Sequence, residues 1–235
     1  MREIARAEYD EAVLAEISGQ TMHASQLTRT PLLTLTALDI AAHELARVRP
    51  ALRHADHLSV PNLIVAPGGR PGGRPQLRAL IDLARDTDRT LAVMPRVGSA
   101  VWNIETALRL VERAPKLRLW PDTSHLGRAG EQLPSAARAL APYCAGWFVR
   151  DHDGTSTGPG SFETQVPGKG RLDLSGTLRG LHDAGFDGPV VFHAVGHLPG
   201  GVPRPEYPLE RLRALACEAR DYLGRYATNS SAWPT

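Results

Sequence analysis

Cysteine is scarce in this chain: two in 235 residues, Cys144 and Cys217. Without Cys-x-x-Cys spacing they point to a reducing cytoplasm, where each thiol serves as a small buried hydrophobe. Long apolar runs are missing, and no segment approaches the ~18–20 residues that a membrane-spanning helix needs. The charged start, Met1-Arg2-Glu3-Ile4-Ala5, gives no sign of a signal peptide. A block of basic residues is absent too. The formal charge is only +2 and lysine supplies a handful of the cations, so no nucleic-acid track is expected. The Gly/Pro/Arg run from Pro67 to Pro75 has a phosphate cradle's glycines but not its Lys-Ser/Thr pair. No Gly-x-Gly-x-x-Gly follows an early strand, which weakens a dinucleotide-binding reading. Neither a serine nucleophile elbow nor a Cys–His pair is present, so covalent hydrolase chemistry has no support.

What the chain does have is alternation. Short apolar strands are expected at Gln20–Ala24, Asn62–Ala66, Thr90–Met94, Leu117–Trp120, Trp147–Arg150 and Pro189–His193. Helical patterns separate them: Glu3–Glu16, Thr36–His57 with a break at Pro50, Leu77–Arg85, Asn103–Arg113, Pro134–Ala141, Asp173 or Ser175 to Ala184, and Leu209–Tyr226. Asn103 is a candidate N-cap and Gly185 a C-terminal stop. Strands apolar on both faces, joined by helices, imply buried parallel pairing in an α/β fold, either a barrel or a doubly wound sheet. Residues 1–226 read as one domain, and 227–235 as a disordered tail. Polar residues fall at successive strand ends: Arg96, Asp122, Asp151 and His193. A (β/α) barrel carries its chemistry on that rim.

Asp122 and His125 lie three residues apart where an apolar strand gives way to the Gly-punctuated segment that ends at Gly130. Such a pair can bind a metal, or share a proton for acid/base work. The plainer reading makes Asp122 a loop cap and His125 a solvated residue. His152 and His197 fall in loops, with solvent exposure as the default. His23 reads as a wall or surface residue, and His43, His54 and His57 as outer-surface residues of a helix.

Several stretches together resemble the xylose-isomerase-like TIM-barrel superfamily of sugar isomerases, epimerases and related enzymes. Leu119-Trp120-Pro121-Asp122-Thr123-Ser124-His125 is similar to its strand ending in Asp-x-x-His. Gln165-Val166-Pro167-Gly168-Lys169-Gly170-Arg171-Leu172-Asp173-Leu174 resembles its Pro-Gly-x-Gly loop, and Gly185-Phe186-Asp187-Gly188 its entry to the last strand. Phe148-Val149-Arg150-Asp151 stands where the family often has His-Leu-Lys-Asp. The resemblance implies a TIM-barrel-like fold, apparently shortened at the N-terminus, with about six recognisable strands. An open barrel edge calls for a homodimer or partner chain to cover it, unless the start codon is misassigned.

Members commonly hold a divalent metal through Glu, Asp, His and Glu on four successive strand ends. Those positions carry Met94, Asp122, Phe148 and His193 here, so only Asp122 keeps its type. A thioether and a phenyl ring are poor ligands for a hard cation. The resemblance therefore implies a small-molecule enzyme of the isomerase or epimerase kind, with no cofactor and metal-independent proton transfer beside a carbonyl. The substrate would be a small oxygenated molecule such as a sugar derivative. Asp122, His125 and His193 are the candidate catalytic residues. Arg96, Trp120, Met94, Phe148 and Asp151 are candidate substrate contacts. Two alternatives stay open: a divalent metal on Asp122, His193 and His125, or a non-catalytic partner subunit. An endonuclease would need more metal ligands and a basic track.

Overall fold

Every described strand runs parallel to its neighbours, in chain order. The computed structural model describes residues 37–40, 61–66, 73–154, 161–193 and 209–227. Strands β1 (Ala37–Ile40), β2 (Asn62–Val65), β3 (Thr90–Val93) and β4 (Arg118–Leu119) form one sheet in the order β1-β2-β3-β4. Strands β5 (Trp147–Val149) and β6 (Val190–Phe192) pair with each other. Single bridges, Leu119 to Cys144 and Asp122 to Phe148, carry the order on from β4 to β5. Pro121 explains why only bridges form there, since it has no N–H to donate to a ladder. Its carbonyl still accepts from the Phe148 N–H at 2.8 Å. A doubly wound sheet reverses its order at a switch point; this one does not reverse, which is the order of barrel staves.

Helices fill the crossovers: α1 (Gly73–Arg85), α2 (Ile104–Arg113), α3 (Thr123–Arg128), α4 (Leu133–Leu140), α5 (Phe162–Gln165), α6 (Leu174–Asp183) and α7 (Leu209–Ala227). Asn103 caps α2 as expected, accepting from the Thr106 N–H at 3.0 Å. Asp173 caps α6, and Gly185 follows it with φ +69°.

Side-chain alternation along the strands separates two cores. Leu63, Val65, Leu91, Val93, Leu119, Trp147 and Val149 face outward and pack with the helices. Ile64, Ala66, Ala92, Met94, Trp120 and Phe148 face inward and form a smaller apolar cluster of their own. A period of two on strands buried on both sides produces this division, and the inner cluster is the filled interior of a barrel. The Trp120 ring occupies the space a side chain at residue 146 would need; a Cβ on Gly146 would sit 2.3 Å from it.

The structure corrects four expectations. Ala37–Ile40 is a strand, not the start of a long helix, because its backbone pairs in parallel register with Asn62–Val65. Short apolar runs do not distinguish the two by periodicity, and pairing decides. Helix α1 begins at Gly73, inside the expected loop; Pro75 is tolerated in a first turn because that N–H has no partner anyway. The segment after Asp122 is helical, since Asp122 caps it. Cys217 is exposed on α7, and only Cys144 is buried. The elements expected before residue 37, the segments carrying His43, His54, His57 and His197, and the tail from residue 228 lie outside the described residues.

Candidate functional site

Asp122 stands at the junction of the end of β4 and the start of α3, wholly buried. Its Oδ1 accepts from the Ser124 N–H at 2.9 Å and the Ser124 hydroxyl at 2.8 Å. The same oxygen takes the Arg150 Nε–H at 3.2 Å, while Oδ2 takes Arg150 Nη2 at 3.1 Å. The guanidinium thus grips both carboxylate oxygens from the end of β5, with only 4% of its side chain exposed. Thr123 fixes the two strand ends together: its hydroxyl donates to the Arg150 carbonyl at 2.6 Å and accepts the Arg150 N–H at 3.0 Å.

His193, directly after β6, places Nδ1 3.3 Å from Asp122 Oδ2. Its ring stacks on Phe148 at 4.3 Å between centroids, and Phe148 leans on Trp120. Burial by itself would raise the Asp122 pKa. The Arg150 charge and then the His193 hydrogen bond overcome it and hold the carboxyl well below its usual range. Asp122 is therefore ionised and accepts only, so His193 Nδ1 is the donor in their contact and Nε2 is the ring nitrogen outside it. Among the described residues nothing meets that Nε2, and 17% of the side chain is exposed.

His125 is not solvated. It is 7% exposed on α3, with Nε2 3.4 Å from Arg150 Nη2. Burial, first, and the charges of Arg150, Arg96 and Arg128 lower its pKa to about 3 against the pull of Asp122. It stays neutral, so Nε2 accepts from Arg150 and Nδ1 carries the proton, without a partner. Asp122 fulfils the plain cap role and the charged one together.

The other expected residues divide. Met94, Trp120 and Phe148 lie in the inner cluster immediately beneath the Asp122–His193 pair. Arg96 is half-buried at the end of β3, near enough to act electrostatically on His125. Asp151 is buried and points away to a loop. Its Oδ1 accepts the N–H groups of His152 (2.8 Å) and Leu172 (3.0 Å), and Oδ2 that of Gly168 (2.9 Å). His152 is buried at 2% rather than exposed, because its Nδ1 accepts the Gly154 N–H at 2.8 Å. Sequence reading missed Arg150 as a site residue. The signal was alternation: residue 150 shares the inward parity of Phe148, and a cation on that face requires an internal partner.

The four positions that the resemblance assigns to metal, Met94, Asp122, Phe148 and His193, are brought to one spot. Their side chains are a thioether, a carboxylate already gripped by a guanidinium, a phenyl ring and an imidazole. Among the described residues no group of three His, Cys, Asp or Glu is arranged to hold a metal ion.

Residues 3–216 match the family model of the xylose isomerase-like TIM barrel, which is most of the chain. The chain belongs to that family. No curated protein sequence matches it. Solved barrels resemble it in fold. D-Psicose 3-epimerase from Clostridium cellulolyticum H10, with D-tagatose, superposes with TM-score 0.70 at 15% identity, covering 93% of this chain and 84% of that one. The IolI protein with a bound zinc atom gives 0.66 at 15%, covering 88% and 81%. The probable 3-DHS dehydratase AsbF from Bacillus anthracis gives 0.65 at 12%, covering 89% and 83%. At these identities the likeness carries the fold.

Proposed function

We propose that the barrel moves a proton next to a carbonyl of a small oxygenated molecule, with His193 as the base and no metal in the step. The Asp122–His193 contact carries this reading. An ionised carboxylate on Nδ1 orients the ring and stabilises the imidazolium that forms when Nε2 takes a proton. Nε2 removes the proton from the carbon beside the carbonyl, leaving an enolate. Returning that proton to the former carbonyl carbon, while the neighbouring hydroxyl's proton passes to the former carbonyl oxygen, completes an isomerisation; expelling a β-hydroxyl as water, with the proton from the imidazolium, completes an elimination. An epimerisation needs a second acid on the opposite face. His125, held neutral and buried, is badly suited to that task, so a one-base isomerisation or elimination is favoured.

The donor set supports metal independence by its chemistry. A hard cation would have to displace Arg150 from both oxygens of Asp122 and would find no ligand at Met94 or Phe148. Arg150 already supplies positive charge at this corner. The metal-dependent reading rests on a zinc-bearing relative of the same fold, and the chelation experiment below separates the two.

A panel of ketoses, aldoses and keto acids in D2O, followed by proton NMR, tests the proposal. Wild-type protein is expected to exchange one C–H proton beside the carbonyl. His193→Gln is expected to lose ~10²–10⁴-fold in that rate. Equal rates for wild type and His193→Gln would remove His193 from the chemistry.

A further inference from the structure

A guanidinium carries N–H donors and no acceptor, so a buried one has to be accounted for bond by bond. In Arg150, Nε–H goes to Asp122 Oδ1 at 3.2 Å, and Nη2 goes to Asp122 Oδ2 at 3.1 Å and toward His125 Nε2 at 3.4 Å. Nη1 is buried and has no acceptor. The side chain is held from its own backbone, because the Thr123 hydroxyl bonds both the N–H and the carbonyl of residue 150. Asp122 Oδ2 also meets His193 Nδ1 at 3.3 Å, so one oxygen joins the guanidinium to the imidazole. Residue 150 shares the inward parity of Phe148, on which the His193 ring stacks. Of the two cationic partners of Asp122, His193 is the more open, 17% exposed against 4%. A buried donor without an acceptor is costly, and an arriving oxygen removes the cost.

We infer that Arg150 is a catalytic residue, whose Nη1 receives the substrate's carbonyl oxygen while His193 Nε2 takes the proton from the adjacent carbon. The inference rests on the proton-transfer reading and supplies what that reading lacks, a group to hold the charge that the departing proton leaves behind. The electron pair of the broken C–H bond becomes the C=C bond of the enolate. The carbonyl π pair moves onto oxygen, and the anion forms against a cation already in place. Arg150 keeps its protons throughout, so it stabilises charge and transfers nothing. Asp122 holds both partners through one oxygen and offsets the second positive charge that appears when His193 is protonated. Donors fixed before the charge develops need no reorganisation when it does, and removing one such donor typically costs ~10²–10³-fold in rate.

Deuterium exchange on the panel of ketoses, aldoses and keto acids, run with chelated protein, tests the inference in wild type, His193→Gln, Arg150→Ala and Arg150→Lys. Circular dichroism establishes which variants fold. Arg150→Ala is expected to lose ~10²–10³-fold, in kcat rather than KM, because the bond strengthens as the charge develops. Millimolar ethylguanidinium is expected to restore part of that rate. Arg150→Lys keeps the charge that Asp122 needs but not the fork, so it is expected to fold and still lose ~10-fold or more; it carries the test if Arg150→Ala does not fold. A folded Arg150 variant that exchanges as fast as wild type would overturn the inference. A loss in Arg150→Ala that ethylguanidinium leaves unrepaired would also overturn it, assigning Arg150 to holding Asp122 alone. Wild type that exchanges no panel member, or exchange untouched by His193→Gln, would instead overturn the proton-transfer reading, and the inference with it.

Discussion

Arg150 ties the site together, and its removal should show it. Losing one partner of a buried ion pair leaves the other charge uncompensated, at about 3–5 kcal/mol. Arg150→Met is expected to lower the urea midpoint accordingly, and Arg150→Met with Asp122→Asn to recover part of the loss. Acid exposes the same design. The folded pKa of His125, about 3, lies below the ordinary 6.5, so the unfolded chain binds a proton that the folded one refuses. Stability from this group is full above pH 6.5 and declines as pH falls toward 3. Asp122, also depressed, adds its loss only below pH 3.8. Between pH 6.5 and 5 the wild type should lose about 2 kcal/mol from His125, and His125→Gln should lose less over the same interval. Urea titrations at both pH values check this. Spacing and resemblance singled out Asp122, His125 and His193, and the structure brings Asp122 and His193 into contact. The tautomer of His125 was not legible, because it depends on Arg150, a partner 25 residues away in sequence.

The loop after β5 is organised by Asp151, which the strand-end pattern marked for substrate and the structure places on backbone amides. Three N–H groups depend on it, and Gly170 allows the close approach. A Cβ at that position would sit 2.2 Å from Asp151 Oδ1. Gly170→Ala is expected to destabilise by ~1–3 kcal/mol through displaced hydrogen bonds, measured by urea unfolding. The helices α2, α4 and α6 could be read from caps, Pro134 and Gly185 because those signals are local. Strand β1 could not, because Ala-Leu-Asp-Ile becomes a strand only by pairing with residues more than twenty positions away.

Among the described residues, alternation along the parallel strands β2 to β6 sorts the apolar side chains into an outer core against helices and an inner one beneath the rim. The inner core includes Met94 and Phe148, so apolar groups floor the site. A low-dielectric floor strengthens the Asp122–Arg150 and Asp122–His193 interactions above it. The fold class was legible because apolar strands and helices alternate in sequence; the pairing of Arg150 with Asp122 was not, because the two stand at the ends of separate strands. The most direct test of the metal-free acid/base site is solvent deuterium exchange into a turned-over ketose or keto acid, before and after exhaustive chelation, in wild type and His193→Gln. The expected result is an exchange rate unchanged by chelation and reduced at least ~100-fold by His193→Gln. Exchange abolished by chelation and restored by a divalent metal would contradict it.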